Sequence, residues 1–417
     1  RGYSINSRTA FQYISDHQGI DQDFSPKSIY FARQDMKQKM FSEELNIKST
    51  TPGRYKWLFG AFGFWQGIDN TVTLDYFTKD YATRKLYDTP TYGVAFYHQS
   101  TIDDLLTRSL SLTFGIRYDY EHTSNDFLFY KETVQLRNGN HTVFFYEILP
   151  LICCNSGTCR LKFSQVTPKI ALQYMFPSTG MLYATVTKGY KTGGFNTSFD
   201  REEDRTFRPE ASWNYELGAK HPLLDNRLNA EVCFFWIDWK NQQIYQMLAT
   251  QNGQFLRNAG RSESKGVEVS LQGNPVNGLM VQVNYGFTHA TFKDYKDERK
   301  GIDYSGNFLP MVPRHTFAVG ADYTIPNPCR HIDRFTISAN YTGTGRIQWK
   351  EDNKISQPYY GLLNAKVSAT KDFITFAIWG KNMTGADYSA FYFETGGKGL
   401  AQKGRPFTIG GNIQLNF

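Results

Sequence analysis

The chain has 417 residues, of which 33 Phe, 27 Tyr and 7 Trp make up an aromatic share of 16%. Its 46 basic and 39 acidic residues give a formal net charge of +7, but no dense Lys/Arg tract is present, so nucleic-acid binding is not expected. No run approaches the roughly 18 apolar residues of a membrane-spanning helix, which excludes a helical membrane protein.

Segments with alternating apolar and polar residues recur along the whole chain. Arg1 begins directly in such a segment, and the clearest one covers residues 108–121, where every second residue from Leu110 to Tyr120 is apolar. Each segment has about the 9–11 residues that a tilted strand needs to cross a bilayer. Residues 38–49 alternate poorly, and 54–66 are apolar on both faces. Further strands are predicted at 279–288, 317–323, 335–341 and 407–417.

The connections between these segments alternate between short and long. Short turns are predicted at 50–53, 102–105, 177–180, 222–226, 274–278 and 371–372. Long polar loops are predicted near 16–37, 68–90, 123–160, 191–209, 292–311, 347–358 and 386–404. Outer-membrane barrels have this asymmetry, with tight periplasmic turns and long exterior loops. The sequence therefore predicts an all-β fold, a single antiparallel transmembrane β-barrel domain over residues 1–417 with about 16 strands and a periplasmic C-terminus.

The reactive side chains form no recognisable catalytic or metal-binding pattern. The eight histidines are scattered, without a His-x-x-x-His pair, and the chain has no Cys-x-x-Cys motif, so we predict no enzyme, no cofactor and no bound metal. Five cysteines leave at least one unpaired. Because Cys153, Cys154 and Cys159 lie close together in a long loop, a disulfide between Cys159 and either Cys153 or Cys154 is expected there rather than a zinc site.

Six phrases carry a resemblance to a known family. They are Lys188–Asn196, Phe207–Lys220, Asn258–Val269, Asn284–Phe292, Gly380–Tyr388 and the segment that begins at Gly404. In this order and spacing they resemble the C-terminal part of the β-barrel of TonB-dependent outer-membrane receptors, in particular the receptors for siderophores and other iron complexes. The first third of the chain matches that family only in general style.

The resemblance implies more than the periodicity does. The family's barrels have 22 strands around a plug domain, so about six strands and the plug are expected upstream of Arg1. It further implies a location in the outer membrane of Gram-negative bacteria, contact with outer-membrane lipid, and energy coupling to TonB through an N-terminal segment outside this chain. Phe417 resembles the terminal aromatic residue that the barrel assembly machinery recognises.

Ligand contact is expected from aromatic and basic residues of the exterior loops. Aromatic rings stack on flat iron complexes, and Arg or Lys neutralises their negative charge. The alternative for each aromatic residue is the upper aromatic girdle of the barrel. The candidates are Tyr190, Lys191, Phe195, Arg205, Arg208, Trp349, Lys350, Tyr388, Phe391, Tyr392 and Phe393.

The predicted function is TonB-dependent active import of a scarce nutrient, a ferric siderophore or a related iron complex. One alternative is a complete passive porin, because 16 strands is itself a known barrel size. Another is TonB-dependent import of cobalamin, haem or glycans.

Overall fold

The computed structural model describes residues 2–417 except 22–23, 25, 80, 138–139, 149–155, 178, 200, 249–253, 259, 298–299 and 396–397. At 133–137, 140–148, 156, 247 and 395 it describes the backbone alone. The described residues hold one short 3-10 helix, Glu202–Arg205, and no helix in them is long and apolar enough to cross a membrane.

Sixteen long strands form one antiparallel sheet. They are β1 (Tyr3–Asp21), β2 (Tyr30–Ser49), β3 (Tyr55–Tyr76), β4 (Tyr81–Ile102), β5 (Leu110–Arg137), β6 (Ser156–Met175), β7 (Met181–Lys191), β8 (Glu210–Leu223), β9 (Leu228–Lys240), β10 (Arg261–Val276), β11 (Leu279–Asp294), β12 (His315–Cys329), β13 (Ile332–Thr344), β14 (Tyr360–Lys371), β15 (Ile374–Lys381) and β16 (Thr408–Leu415). Each strand pairs with the next one along the chain. The predicted all-β antiparallel fold and its strand number are confirmed.

The sheet has one apolar and one polar face, because successive side chains of a strand point to opposite sides. On β5, Phe114, Ile116 and Tyr118 are exposed on one face, which we call the outer face. Arg117 and Asp119 lie on the other, the inner face, where Arg117 Nη2 is 2.7 Å from Asp119 Oδ1. Alternation along β5 therefore separates a hydrocarbon surface from a charged one.

The connections differ strongly between the two ends of the strands. At one end the strands are joined by tight turns, and we call this the short-turn side. At the other, the long-loop side, the connections contain small two-stranded elements. These are Gly194–Phe195 with Thr206–Phe207, Gln243–Met247 with Gln254–Asn258, Lys296–Asp297 with Ile302–Asp303, Ile347–Gln348 with Ser356–Gln357, and Ser389–Thr395 with Lys398–Lys403. The strand Asn140–Ile148 pairs with the far end of β5.

Three of the stretches predicted as long loops are largely strand in the structure. Near 16–37, 68–90 and 123–160 the strands β1 to β6 continue, so that β3 ends at Tyr76 and β4 already begins at Tyr81. The sequence pattern missed these extensions because both faces can be wet there, which removes the alternation of apolar residues while the backbone hydrogen bonds continue.

The sheet curls so that its two ends meet on the long-loop side. Phe24, in the connection between β1 and β2, packs edge-on against Phe393 in the connection between β15 and β16, with ring centroids 5.0 Å apart. Within the described residues, β1 nevertheless pairs only with β2, and β16 only with β15. The loops of the first and last hairpins touch although the edge strands are not hydrogen-bonded to each other.

Candidate binding site among the long connections

The connections on the long-loop side are hydrogen-bonded to one another. Lys85 Nζ, on β4, donates to the Thr197 carbonyl (3.1 Å) and to Ser198 Oγ (2.9 Å) in the connection between β7 and β8. The Asn196 side chain joins that connection to Leu256, and Gln246 Nε2 donates to Tyr295 Oη at 2.7 Å. These contacts link three successive connections into one structure.

The contacts continue towards the C-terminus. Asn353 Oδ1 accepts the Phe308 N–H (2.7 Å), and Asn353 Nδ2 donates to the Phe308 carbonyl (2.9 Å). Lys350 forms an ion pair with Glu394 of the last long connection. Together with the contact of Phe393 and Phe24, these interactions connect the loops from β4 round to the β1–β2 connection.

The first group of candidate residues surrounds Arg205. We call Arg205, Tyr87, Phe127, Phe129 and Phe199 the Arg205 cluster. The guanidinium lies 4.4 Å from the Phe127 ring centroid and 4.9 Å from that of Phe199, and only 9% of the residue is exposed. Tyr87, Phe127 and Phe129 come from the extended ends of β4 and β5, whereas the short 3-10 helix brings in Arg205.

Arg205 is held in place by a carboxylate as well as by rings. Its Nε and Nη2 donate to the two oxygens of Glu202 at 2.5 and 2.8 Å, a fork-like geometry that Arg alone among the side chains offers. Glu202 is about half exposed, with 47% of its side chain accessible. A desolvated cation between aromatic rings, paired with a half-exposed carboxylate, can exchange that carboxylate for an anionic ligand. The predicted candidate Phe195 lines the same cleft.

The second group surrounds Trp349, and we call Trp349, Lys350, Phe391, Phe393 and Glu394 the Trp349 cluster. Trp349 is buried at 7% exposure and meets Phe391 edge-on at 6.5 Å, while Phe391 stacks on Phe393 at 5.8 Å. Burial by itself lowers the pKa of Lys350, but its bond to Glu394 outweighs this, so the pKa of Lys350 lies above its ordinary value. Lys350 is therefore a fully charged ammonium beside an aromatic surface.

Tyr392 joins the Trp349 cluster through the same carboxylate, because its hydroxyl donates to Glu394 Oε1 at 3.0 Å. Tyr388 lies apart from it and stacks face to face on Tyr360 of β14, with ring centroids 4.2 Å apart and planes at 9°. The structure thus brings five of the six predicted residues of this region together, and places Tyr388 at the base of the connection.

The remaining three candidates lie close to the first group but outside it. Tyr190 lines a cavity of about 190 Å³ with the inner-face residues Arg117, Asp119 and Glu121. Lys191 Nζ is 3.9 Å from Glu210 Oε1. The backbone of Arg208 is held by the side chain of Asn258, while its own side chain is exposed.

A third apolar group was missed from the sequence. Phe292, Tyr295, Tyr304 and Leu309 pack into a small core within the stretch predicted as a polar loop near 292–311. Burial raises the pKa of the Tyr295 hydroxyl well above its ordinary value. Four large apolar residues in one loop were the available signal, but loops have no period that would show which of their residues meet.

Two other predictions concern the ends of the chain and its cysteines. Phe417 follows β16 and stacks on Phe373 of a short turn, with centroids 5.8 Å apart.

Cys159 lies in β6 opposite Asn125. Cys153 and Cys154 lie outside the described residues, so the disulfide stays a prediction. In the described part of the chain, no three His, Cys, Asp or Glu side chains group as a metal site would require.

Comparisons with known proteins agree on one family. The profile described as TonB dependent receptor-like, beta-barrel matches residues 1–383. The pesticin receptor of Yersinia pestis is 24% identical over 256 residues, which are 61% of this chain and 36% of that protein. The ferric-pyoverdine M114 receptor PbuA of Pseudomonas sp. (strain M114) is 25% identical over 207 residues, 49% of this chain and 24% of that protein.

Solved structures resemble the whole chain. The ferric yersiniabactin uptake receptor FyuA from Yersinia pestis superposes with a TM-score of 0.80 at 19% identity, covering 100% of this chain and 59% of that chain. The unliganded ferric citrate transporter FecA gives a TM-score of 0.74 at 16% identity with the same coverage. The matched part of this chain spans 36% of the pesticin receptor and 24% of the ferric-pyoverdine receptor. The whole chain spans 59% of each of the two solved chains.

Proposed function

The chain belongs to the family of TonB-dependent receptor β-barrels, which are outer-membrane proteins, and from this premise we propose that it is the barrel part of an active importer for a ferric siderophore or a related iron complex. The relatives support this ligand class, because their names specify pesticin and ferric pyoverdine, and the solved neighbours are receptors for ferric yersiniabactin and ferric citrate. TonB supplies the energy in this proposal through a segment outside the chain.

The observation that carries the ligand class is the Arg205 cluster. A guanidinium lies between two aromatic rings and forms an ion pair with the half-exposed carboxylate of Glu202. A flat anionic iron complex offers both things that this arrangement binds, a charge for Arg205 and a face for Phe127 or Phe199. The Trp349 cluster, also on the long-loop side, likewise combines aromatic rings with a cation, Lys350, that is paired with a carboxylate.

A passive porin is the rival function. The family model that matches residues 1–383 is that of TonB-dependent receptors, and this match favours the importer. Cobalamin, haem and glycans remain as other cargoes of the same family, and a binding assay separates them from ferric complexes.

The test uses the full-length receptor in iron-limited cells that lack other iron receptors. Uptake of a radiolabelled ferric catecholate and a ferric hydroxamate is measured with and without TonB. We expect uptake of at least one of them to require TonB, and Arg205→Gln to reduce binding by about tenfold or more. Arg330→Gln, in a turn on the short-turn side, is the control and should bind like the wild type.

Two outcomes contradict the proposal. Uptake that is unchanged without TonB indicates a passive pore. Binding of cobalamin, haem or a glycan by a receptor that binds neither ferric complex moves the cargo to that class, while the family assignment and the TonB requirement stand.

The proposed orientation places the long connections outside the cell and the C-terminus in the periplasm, as in barrels of the outer membrane. Cysteines introduced one at a time at Lys300 and at Arg330, in a variant whose five native cysteines are replaced by serine, test it in intact cells with a membrane-impermeant thiol reagent. Labelling at position 300 alone supports the orientation, and labelling at position 330 alone reverses it.

A further inference from the structure

The outer face carries an apolar groove between β2 and β5. Its walls are Leu45, Phe59, Phe96 and Ile116, its volume is about 450 Å³, and Ala61 lies at its centre; we call it the outer-face groove. Leu45 and Phe96 are the direct cross-strand neighbours of Ala61 on either side. The groove exists because the side chain of Ala61 is small, whereas its neighbours on this face, Leu45 and Phe96, are large.

The position of the groove along the strands puts it inside the bilayer. Ala61 is the seventh residue of β3, counted from Tyr55 beside a short turn. A rise of about 3.3 Å per residue on a strand tilted by about 40° places Ala61 roughly 15 Å above that turn, within the apolar band about 25 Å tall of such barrels. Trp65, exposed on the same face four residues further on, marks the aromatic belt on the opposite side of the band.

A chain of polar groups lies at the short-turn end of the groove. His98, which lines the groove and stacks on Phe59 at 4.2 Å, has Nδ1 3.1 Å from the Leu58 carbonyl and Nε2 2.8 Å from Ser100 Oγ. Ser100 Oγ is in turn 2.9 Å from Tyr55 Oη. Tyr55 is the first residue of β3, so this end of the chain of polar groups lies at the level where lipid headgroups begin.

The donors and acceptors of this chain run in one direction. A carbonyl can only accept, so Nδ1 of His98 carries a proton, and in the neutral ring Nε2 accepts from the Ser100 hydroxyl. Ser100 Oγ then accepts from the Tyr55 hydroxyl, and the exposed Tyr55 oxygen is left with acceptor capacity. The chain therefore ends in a site for a hydrogen-bond donor, such as an ammonium or a glycerol hydroxyl.

The residue before Tyr55 in the chain carries a cation. Arg54, one residue before Tyr55, is 69% exposed and its Nε is 3.6 Å from Asp104 Oδ2, a distance too long for a hydrogen bond. Its guanidinium has further donors that can take a phosphate. An apolar groove, a hydrogen-bond acceptor and a guanidinium thus follow one another from the middle of the band to its edge. A glycerophospholipid offers a partner for each of the three: an acyl chain, a headgroup donor and a phosphate.

We propose that the outer-face groove binds one glycerophospholipid of the leaflet beside the short turns. One acyl chain occupies the groove over Ala61, the headgroup donor binds Tyr55, and the phosphate meets Arg54. The inference rests on the membrane location in the proposed function and is independent of the cargo and of TonB. A groove that opens into hydrocarbon is filled by hydrocarbon, and the polar chain at one end explains why a particular lipid would stay.

The experiment uses the full-length receptor, extracted in detergent, stripped of lipid and examined by native mass spectrometry during titration with 1-palmitoyl-2-oleoyl-phosphatidylethanolamine. We expect one tightly bound lipid per protein. Ala61→Phe fills the groove and should weaken this binding by about tenfold or more. Ala184→Phe, at an exposed outer-face position of β7 away from the groove, is the matched control and should leave the binding unchanged.

Tyr55→Phe and Ser100→Ala keep the groove open and test the polar chain should Ala61→Phe fail to fold, which a heat-modifiability gel reveals. Both should weaken the binding severalfold. Equal lipid binding by the wild type, Ala61→Phe and Ser100→Ala overturns the proposal, as does co-purification of a protein in the groove in place of lipid. Uptake of ferric complexes is measured on the same variants, so that loss of lipid and loss of transport are distinguished.

Discussion

Asn196 is hydrogen-bonded through its side chain to both backbone groups of Leu256, although 60 residues separate them in the chain. Asn196 Nδ2 donates to the Leu256 carbonyl and Oδ1 accepts the Leu256 N–H, each at 2.8 Å. Nδ2 also donates to the Asp204 carbonyl at 2.8 Å, beside Arg205. The position of the Arg205 cluster therefore depends on the next long connection along the chain.

Replacing this amide should loosen both connections. Asn196→Ala removes the hydrogen bonds to the Leu256 N–H, the Leu256 carbonyl and the Asp204 carbonyl, which costs about 1–3 kcal/mol of local stability. Hydrogen exchange should become faster at residues 194–207 and 254–258 and stay unchanged in β12 to β14. Asn277→Ala in a short turn is the control, and an exchange pattern equal to that of the control would show that the amide does not lock the loops.

Glu394→Gln removes the carboxylate that neutralises Lys350, and should affect ligand binding more than stability. Exposed and half-exposed ion pairs contribute only about 0–1 kcal/mol, so thermal stability should change little. Binding of an anionic ferric complex should become severalfold tighter, because Lys350 is no longer neutralised. Asp387→Asn, which removes the exposed pair with Lys403 in the same connection, is the control; weaker binding by Glu394→Gln would contradict the prediction.

The anchor at Lys85 should depend on pH. Burial lowers the pKa of Lys85 to about 8, and the residue lies well beyond the apolar band, near the far end of β4. When the loop opens, the pKa of Lys85 returns to its ordinary value of about 10.4. Opening therefore binds a proton at any pH between about 8 and about 10.4. The closed loop is therefore stabilised as the pH rises from about 8 to about 10.4, and its stability is independent of pH below about 8.

Hydrogen exchange of residues 192–199, corrected for the intrinsic rate, measures this dependence. Lys85→Met should abolish it and Lys131→Met, on the neighbouring strand, should leave it intact. A loop that opens more readily as the pH rises through this window would show that the sign is wrong.

A carboxylate on the outer face should depend on two hydroxyls. Glu43 lies in the apolar band and accepts hydrogen bonds from Ser7 and Thr9 of the neighbouring strand. Replacing both hydroxyls by Ala leaves a charge without partners in the bilayer and should cost about 1–3 kcal/mol of unfolding free energy in lipid vesicles. Replacing Glu43 by Leu together with both hydroxyls by Ala removes the carboxylate and its partners, and should be neutral or stabilising. Ser15→Ala on the same strand is the control; equal losses in all variants would contradict this explanation.

The contact between Phe24 and Phe393 should couple the two ends of the sheet. Edge-to-face aromatic pairs contribute about 0.5–1.5 kcal/mol beyond their buried area. A double-mutant cycle of Phe24→Leu and Phe393→Leu, measured by thermal unfolding, should give a coupling energy in that range. A cycle with Phe391→Leu in place of Phe393→Leu is the control, and additive effects in the first cycle would show that the ends are independent.

Much of this architecture is predictable because it repeats. Alternation along 108–121 identifies β5 within the apolar band, and the same rule finds β11, β12, β13 and β16. It underestimates the length of β3, β4 and β5 because these strands continue where neither face needs to be apolar. For the same reason the sequence places Tyr87, Phe127 and Phe129 in loops, and these three members of the Arg205 cluster are not among the predicted binding residues.

The sequence by itself determined the fold class, the alternation of short and long connections and the kinds of residue that could bind a ligand, because a bilayer imposes a period of two on every strand that crosses it. Only the tertiary structure decided which of those residues meet. Arg205 lies between Phe127 and Phe199, and Phe24 touches Phe393, through the curl of the sheet and hydrogen bonds between distant loops. Such contacts join residues far apart in the chain, and no local period records them.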